Sequence, residues 1–201
     1  PGHFPLLIHV ETKQDAPGDI VPLLRMFGFR KSGKYDALAC NRMDAEIQEV
    51  FADHPEIILT PDQLRRHYTS LEEMALNNDW LPLDFVKGKI LFVMEGKARE
   101  VYLRQHPSCK GRMMFVFSEP GQPECAFILR NQPLGAEAEI QTLVQKGYIV
   151  RTRTDEGTKE ARTKDYTRLK AAINSNAQIL STDYYQPDPA FSDYFVPWQQ
   201  E

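Results

Sequence analysis

The sequence has little of what marks several common protein classes. Its three cysteines are an odd number and form no C-x-x-C pair, which argues against a disulfide framework and a zinc site. No apolar run approaches the roughly 20 residues of a membrane-spanning helix, and the first residues show no signal-peptide pattern. With a net charge of -4, the chain lacks the basic excess of proteins that bind nucleic acid.

Three motifs that mark common enzyme classes are also absent. Without G-x-S-x-G, a phosphate-binding loop or G-x-G-x-x-G, there is no support for a serine hydrolase, a nucleoside triphosphatase or a dinucleotide-binding protein. The chain starts at Pro1 rather than at a methionine, and a strand-like run begins almost at once. This start predicts a truncated or processed chain, with any targeting signal upstream.

What the sequence does contain is enough apolar material for one sizeable core. With 201 residues, of which 42% are hydrophobic, we expect a single domain over residues 1–201. Strand-like and helix-like segments alternate, which predicts a parallel sheet with helical crossovers. About five strands are predicted, and both an open doubly wound sheet and part of a barrel fit this pattern.

Hydrophobic periodicity and helix-end signals place the elements. Strands are predicted over 6–12, 89–94, 113–117, 148–153 and 177–182, with 126–129 as a candidate short extra strand. Helices are predicted over 18–27, 36–51, 70–77, 133–146 and 163–174. Thr60, followed by proline, predicts the start of a further short helix. Ser70 and Glu73 predict a capping box, and Gly147 predicts a helix end. Arg168 is expected at an exposed position on the last helix.

The first predicted strand has one polar face. Strand side chains alternate between faces, so His9, Glu11 and Lys13 share one side, while Ile8 and its alternate neighbours are expected to pack under helices. The polar residues lie toward the carboxyl end of the strand, where α/β proteins build their sites, and Glu95 ends another strand similarly. Glu11 either pairs with Lys13 or a neighbouring strand, or acts as a hard-metal ligand or acid–base group. His9 is either an interior histidine or a catalyst.

A second polar strand carries two arginines. Arg151 and Arg153 share a face, which suits an anionic ligand because guanidinium matches phosphate bidentately. The alternative is a set of ion pairs with Glu11, Asp155 or Asp183. Asp183 follows the last predicted strand, where it either orients an arginine or a loop, or is an exposed turn residue.

Several segments resemble one family in order along the chain. They read ILTPDQL at 58–64, SLEE at 70–73, WLP at 80–82, KGKILFV at 87–93, VRTRTD at 150–155, EAR at 160–162 and AQILSTDY at 177–184. Together they resemble bacterial calcium-dependent phosphoinositide phospholipase C-like proteins. The last segments are the most specific, and they look like the closing two barrel strands of that family.

The resemblance implies a (β/α) TIM-type barrel of which this chain is the C-terminal half. It also implies a mechanism in which one histidine helps the inositol 2-hydroxyl attack the phosphodiester and a second assists the diacylglycerol leaving group. Ca2+ stabilises the charge that develops on the phosphate. A cyclic inositol phosphate forms first, and water then opens it.

The resemblance also assigns residues. Glu11 stands where the family has its last calcium-binding carboxylate, and Arg153 and Arg151 match an arginine that contacts inositol phosphates. Lys13, on the face of Glu11, is counted with these arginines as substrate-binding. The catalytic histidine pair and the other calcium ligands belong upstream of Pro1. We therefore expect Glu11 and the two arginines to point into one shared pocket.

Two departures from the family pattern bear on activity. None of the five histidines matches the catalytic pair: His3, His9, His54, His67 and His106. Glu95 lies on the strand that carries phosphate-binding lysines in eukaryotic relatives, so a highly phosphorylated inositol headgroup is disfavoured. The expected substrate is phosphatidylinositol or another phosphodiester.

Three hypotheses follow. The first is a phosphatidylinositol-cleaving phosphodiesterase, the second a glycerophosphodiester phosphodiesterase, and the third a non-catalytic barrel that binds anionic lipid. The first two imply a phospholipid or glycerophosphodiester substrate, with transient contact to a membrane surface. The resemblance implies a secreted or periplasmic protein, and we expect the chain alone to be inactive.

Overall fold

The computed structural model describes residues 2–13, 20–30 and 32–197, which form two compact units. Residues up to Met74, together with Trp80–Cys125, form the first unit. Ala75–Asp79 and the chain from Ala126 onward form the second. The single domain expected over residues 1–201 stays a prediction.

The first unit is built on three parallel strands in the order β1-β2-β3. These strands are β1 (Leu6–Thr12), β2 (Ile90–Gly96) and β3 (Phe115–Val116). The α-helices that begin in this unit are α1 (Ala37–Val50), α2 (Pro61–Arg65), α3 (Leu71–Leu76), α4 (Leu83–Val86) and α5 (Arg99–Leu103). Short 3-10 helices occupy Pro22–Phe27, Pro55–Ile57 and Pro107–Cys109.

The second unit repeats this arrangement with three further parallel strands in the order β4-β5-β6. Its strands are β4 (Phe127–Leu129), β5 (Ile149–Arg153) and β6 (Ile179–Ser181), and its helices are α6 (Glu137–Gln145), α7 (Lys159–Thr163) and α8 (Thr167–Asn174). The alternation of parallel strands and helices confirms the predicted α/β class.

Local signals in the sequence set several helix ends as predicted. Thr60 and Gln63 form a reciprocal capping box at the start of α2, and the Glu73 N–H donates to Ser70 Oγ at the start of α3 (3.0 Å). Gly147, with φ +98°, follows α6, and an added Cβ would lie 2.1 Å from the Ala75 carbonyl oxygen. Only glycine satisfies both constraints at this position.

The structure corrects four expectations about elements and residue burial. The helix predicted over 163–174 begins only at Thr167, because Lys164 is left-handed (φ 52°) and separates α7 from α8. Arg168, expected at the surface, is only 7% exposed because it pairs with a buried acid. Ile8, expected under a helix, is 40% exposed. The helix predicted over 18–27 is a 3-10 helix from Pro22, and residues 18 and 19 lie outside the described residues.

The cores are apolar but contain satisfied polar groups. In the first unit the Tyr102 hydroxyl donates to Asp44, and Arg112 pairs with the same carboxylate at 3.1 Å. Burial and the nearby Asp44 charge raise the pKa of Tyr102 well above its ordinary value. All three cysteines are fully buried free thiols. No helix among the described residues is long and apolar enough to cross a bilayer.

Candidate functional site

Four side chains form a polar strip at the carboxyl ends of β1 and β2: His9, Glu11, Lys13 and Glu95. Glu11 and Glu95 are register partners on neighbouring parallel strands, so they project from the same face of the sheet. Lys13 Nζ lies 3.0 Å from Glu11 Oε2, and both side chains are at least half exposed. His9 Nε2 lies 2.8 Å from Glu95 Oε2 without the alignment of a hydrogen bond. The strip thus pairs two acids with one cation and one histidine.

Contacts on the other face of the sheet hold the end of the strip in place. Thr12 is 3% exposed, and its hydroxyl donates to the Glu95 carbonyl (2.7 Å) and accepts from the Ala98 N–H (3.0 Å). Gly96, with φ +99°, lies so close that an added Cβ would be 2.4 Å from the Thr12 carbonyl oxygen. The backbone after Glu11 and Glu95 is therefore fixed by a contact that needs a glycine.

The strip fits part of a calcium site. Calcium takes roughly six to eight oxygen ligands, mostly carboxylates and carbonyls. Glu11 and Glu95 provide two such carboxylates on adjacent strands. In the ranges the structure describes, no group of three or more acidic, histidine or cysteine side chains is placed to hold a metal ion. Two carboxylates fall short of that number, so the described residues do not by themselves form a complete calcium site.

The second unit has a polar cavity of about 280 Å³ at the carboxyl ends of β5 and β6. Both arginines of β5 line it, as strand alternation predicted. The full lining is Arg151, Arg153, Asp155, Glu156, Gly157, Ser181, Thr182 and Asp183. We call this cavity the arginine pocket.

Asp155 fixes the wall of the arginine pocket. It is 3% exposed, and its carboxylate accepts hydrogen bonds from the hydroxyls of Thr154 and Thr182 and from the Asp183 N–H (2.9 Å). These three donors satisfy the buried carboxylate. Asp155 therefore joins the end of β5 to the segment after β6, and Asp183 itself lies exposed at the rim.

Arg168 forms ion pairs with two acids beside the arginine pocket. Its guanidinium donates to Glu160 (2.9 Å), to Glu156 (3.0 Å) and to Gln132 (2.8 Å). Burial raises the pKa of Glu160, but backbone hydrogen bonds and the Arg168 contact outweigh it and hold the pKa below the ordinary value. The Arg153 side chain is 40% exposed, and its guanidinium lies 3.9 Å from Glu156. Its guanidinium can therefore bind an incoming anion.

Sequence reasoning found part of this arrangement. It named the acids of the strip, both arginines, Asp155 and Asp183. It missed Ser181 and Thr182, although hydroxyl residues at the carboxyl end of a predicted strand were a usable signal. The strip and the arginine pocket lie in different units, so the pocket expected to be shared by Glu11 and the arginines stays a prediction.

The second unit also has an apolar cavity of about 300 Å³, which the sequence did not predict. Its aromatic lining comes from Tyr184, Phe191 and Tyr194, in the proline-rich segment after β6. Tyr194 is 1% exposed and stacks on Tyr166 at 4.6 Å between ring centroids. The segment thus packs on the second unit through its aromatic rings.

Comparison with known proteins agrees with the fold. The chain is similar to a calcium-dependent phosphoinositol-specific phospholipase C from a Gram-negative Pseudomonas species, described in its apo form and as a myoinositol complex. That structure is 15% identical with a TM-score of 0.58, over 90% of this chain and 60% of that one. It is also similar to a calcium-dependent phosphatidylinositol-specific phospholipase C from Streptomyces antibioticus, 15% identical with a TM-score of 0.59, over 92% of this chain and 66% of that one.

These likenesses establish the fold, which is the phospholipase C type of TIM barrel. The chain spans about 60% of the length of the Pseudomonas structure. This confirms the predicted partial barrel. No protein of curated function matches the chain significantly. The family model described as phosphoinositide phospholipase C, Ca2+-dependent, matches residues 1–201. The chain therefore belongs to the calcium-dependent phosphoinositide phospholipase C family.

Proposed function

We propose that this chain is part of a calcium-dependent phosphodiesterase that cleaves phosphatidylinositol-type lipids into diacylglycerol and a cyclic inositol phosphate. The observation that carries the proposal is the family match over residues 1–201. In this proposal, none of the five histidines of this chain belongs to the catalytic pair, which lies outside residues 1–201. Residues 1–201 supply part of the calcium site and the anion-binding side of the substrate site.

The arginine pocket supports the substrate class. Arg151 and Arg153 can meet a phosphate with paired N–H donors. The Ser181 hydroxyl, which donates to the Thr152 carbonyl at 3.3 Å, can accept a hydrogen bond from a sugar hydroxyl. A cavity of about 280 Å³ suits a single headgroup. These features favour an anionic ligand that also carries several hydroxyl groups, as an inositol phosphate does.

The polar strip supports the metal assignment. We propose that Glu11 would supply one carboxylate to a calcium ion, and that Lys13, now 3.0 Å from Glu11, would contact the substrate phosphate. Calcium, when bound, would stabilise negative charge on the phosphate. Glu95 adds negative charge beside Glu11, which opposes further phosphates on the inositol ring.

Titration of the purified chain with myo-inositol 1-phosphate, followed by calorimetry and amide NMR, tests the substrate assignment. We expect shifts at residues 151–157 and 181–183, and about tenfold weaker binding in Arg153→Ala, because one charge-assisted contact is lost. Arg104→Ala, at an exposed position after α5, is the matched control and should bind like wild type.

The result separates the hypotheses. Glycerol 3-phosphate binding more tightly than inositol 1-phosphate would favour a glycerophosphodiester substrate. If Arg153→Ala binds inositol 1-phosphate as tightly as wild type, or if wild type shows no shifts in the arginine pocket, the phosphatidylinositol assignment fails.

A further inference from the structure

The loop after β1 exposes an apolar surface. Within it, residues 20–29 form what we call the apolar segment, and no side chain of its 3-10 helix is buried. Leu23 is 62%, Met26 81% and Phe27 74% exposed. The other strongly exposed apolar residues are Ile20, Val21 and Phe29. Six exposed apolar side chains within ten residues favour an interaction site.

The loop is attached at the end of the unit that carries the polar strip. The Tyr35 hydroxyl donates to the Lys13 carbonyl at 3.4 Å, so the chain leaves and returns beside the carboxyl end of β1. Glu11 and Lys13 lie at that same end. The apolar segment therefore belongs to a loop whose two ends adjoin the end of the strip.

The charge of this region identifies the partner. Residues 20–35 contain four basic residues and no acid, which gives +4 in a chain whose net charge is -4. The basic residues are Arg25, Arg30, Lys31 and Lys34. Apolar side chains flanked by arginine and lysine fit the interface of an anionic lipid bilayer, where the headgroups attract the cations and the acyl boundary accepts the apolar groups.

The backbone of the segment is also suited to a medium of low polarity. The N–H groups of Leu24, Gly28 and Phe29 donate to carbonyls within the segment, at 2.9, 3.1 and 3.2 Å. Pro22 has no N–H to satisfy. Gly28, left-handed at φ +84°, closes the 3-10 helix. Few backbone donors would lose water on entering the headgroup region, which lowers the cost of insertion.

We propose that residues 20–30 and 32–35 dock the chain on an anionic lipid surface, with Leu23, Met26 and Phe27 inserted and Arg30 and Lys34 among the headgroups. The inference rests on the proposed function, because a phosphoinositide-cleaving site gains from being held at a membrane. The docking itself requires neither calcium nor turnover.

Co-sedimentation of the purified chain with vesicles tests the proposal. The vesicles are phosphatidylcholine alone or phosphatidylcholine with phosphatidylserine, without calcium and without phosphatidylinositol. We expect wild type to sediment with the anionic vesicles and to stay in solution with the neutral ones. Phosphatidylserine is not the proposed substrate, so failure here is distinguishable from failure of the inositol phosphate titration.

Three variants define which side chains act. Met26→Ser/Phe27→Ser should bind about tenfold more weakly or worse, since two apolar side chains no longer insert. Arg30→Ala/Lys34→Ala should lose about fivefold for each charge removed. Phe4→Ser is the matched control, because Phe4 is 69% exposed at the amino end of β1. It should bind like wild type.

A gain-of-signal variant keeps the test independent of losses caused by misfolding. The emission of Phe27→Trp, after subtraction of the wild-type spectrum, should shift to the blue with anionic vesicles and be quenched by brominated lipid. Wild type remaining in solution with anionic vesicles would overturn the proposal, as would equal binding by Met26→Ser/Phe27→Ser. A dimer in light scattering that Phe27→Ser dissociates, without vesicle binding, would assign the surface to a second copy instead.

Discussion

At the scale of single residues, Glu11 has two competing roles. Lys13 already neutralises its carboxylate at 3.0 Å, which is enough to explain an exposed acid at a strand end. Exposed ion pairs of this kind contribute only about 0–1 kcal/mol to folding. The pair therefore leaves the carboxylate available, because a divalent cation can displace the lysine at little cost in stability.

Substitution at both members of the pair distinguishes the roles. If Glu11 is a calcium ligand, Glu11→Gln should weaken calcium binding about tenfold because one charged ligand is lost. Lys13→Met should strengthen binding because its competing cation is gone. Calorimetric titration of the full-length protein with calcium measures both. Glu49→Gln, exposed on α1, is the control for a lost surface acid. Equal affinities for all three variants and wild type would leave Glu11 as a simple ion-pair partner.

At the scale of elements, the end of β2 depends on its contact with β1. The carboxyl end of β2 turns at Gly96, directly against the Thr12 carbonyl oxygen. The Lys97 N–H also stabilises this turn by donating to the Thr12 carbonyl oxygen at 3.0 Å. Any side chain at position 96 must displace this backbone, and with it the strand ends that carry Glu11 and Glu95.

Substituting alanine for Gly121 and for Gly96 separates the cost of a left-handed backbone from the cost of the clash with Thr12. Gly121→Ala adds a Cβ at φ +91° in open space and should cost about 1 kcal/mol. Gly96→Ala has a similar φ, +99°, and should cost a further ~1–3 kcal/mol because the Cβ meets backbone. Chemical denaturation measures both free energies of unfolding. Equal losses would show that the close approach of β1 and β2 is not required.

Elements are predictable from sequence where local chemistry decides them. Alternation located β1 at residues 6–12, and the Thr60 cap located α2, because both signals lie within the element. The break at Lys164 was not predictable, since a left-handed lysine has no sequence mark. Arg168 was misplaced for a related reason: its burial depends on Glu160, which only the fold brings to it.

The candidate site follows the same division. Alternation placed Arg151 and Arg153 on one face, and both line the arginine pocket. The role of Asp155 came from the fold, because its three donors arrive from two different strand ends. The family assignment of Glu11 came from resemblance, and it remains a prediction until calcium binding is measured.

At the scale of the whole molecule, the chain holds part of a barrel and part of its chemistry. It spans 60% of the length of the Pseudomonas structure, and no histidine in it was matched to the family's catalytic pair. We therefore expect residues 1–201 to release no inositol phosphate from phosphatidylinositol vesicles with calcium. Radiolabelled headgroup release measures this, with an active phospholipase C as the positive control. Calcium-dependent release by the purified chain would show that its own histidines complete a catalytic site.

The three buried thiols also determine how the molecule can be studied. Cys40, Cys109 and Cys125 are each 0% exposed. Burial raises the pKa of Cys40 and Cys109, which suppresses the reactive thiolate. A cysteine introduced at the surface would thus be the fastest to react with a maleimide dye. Spin labels or fluorophores can be attached at chosen loops without first removing the native cysteines.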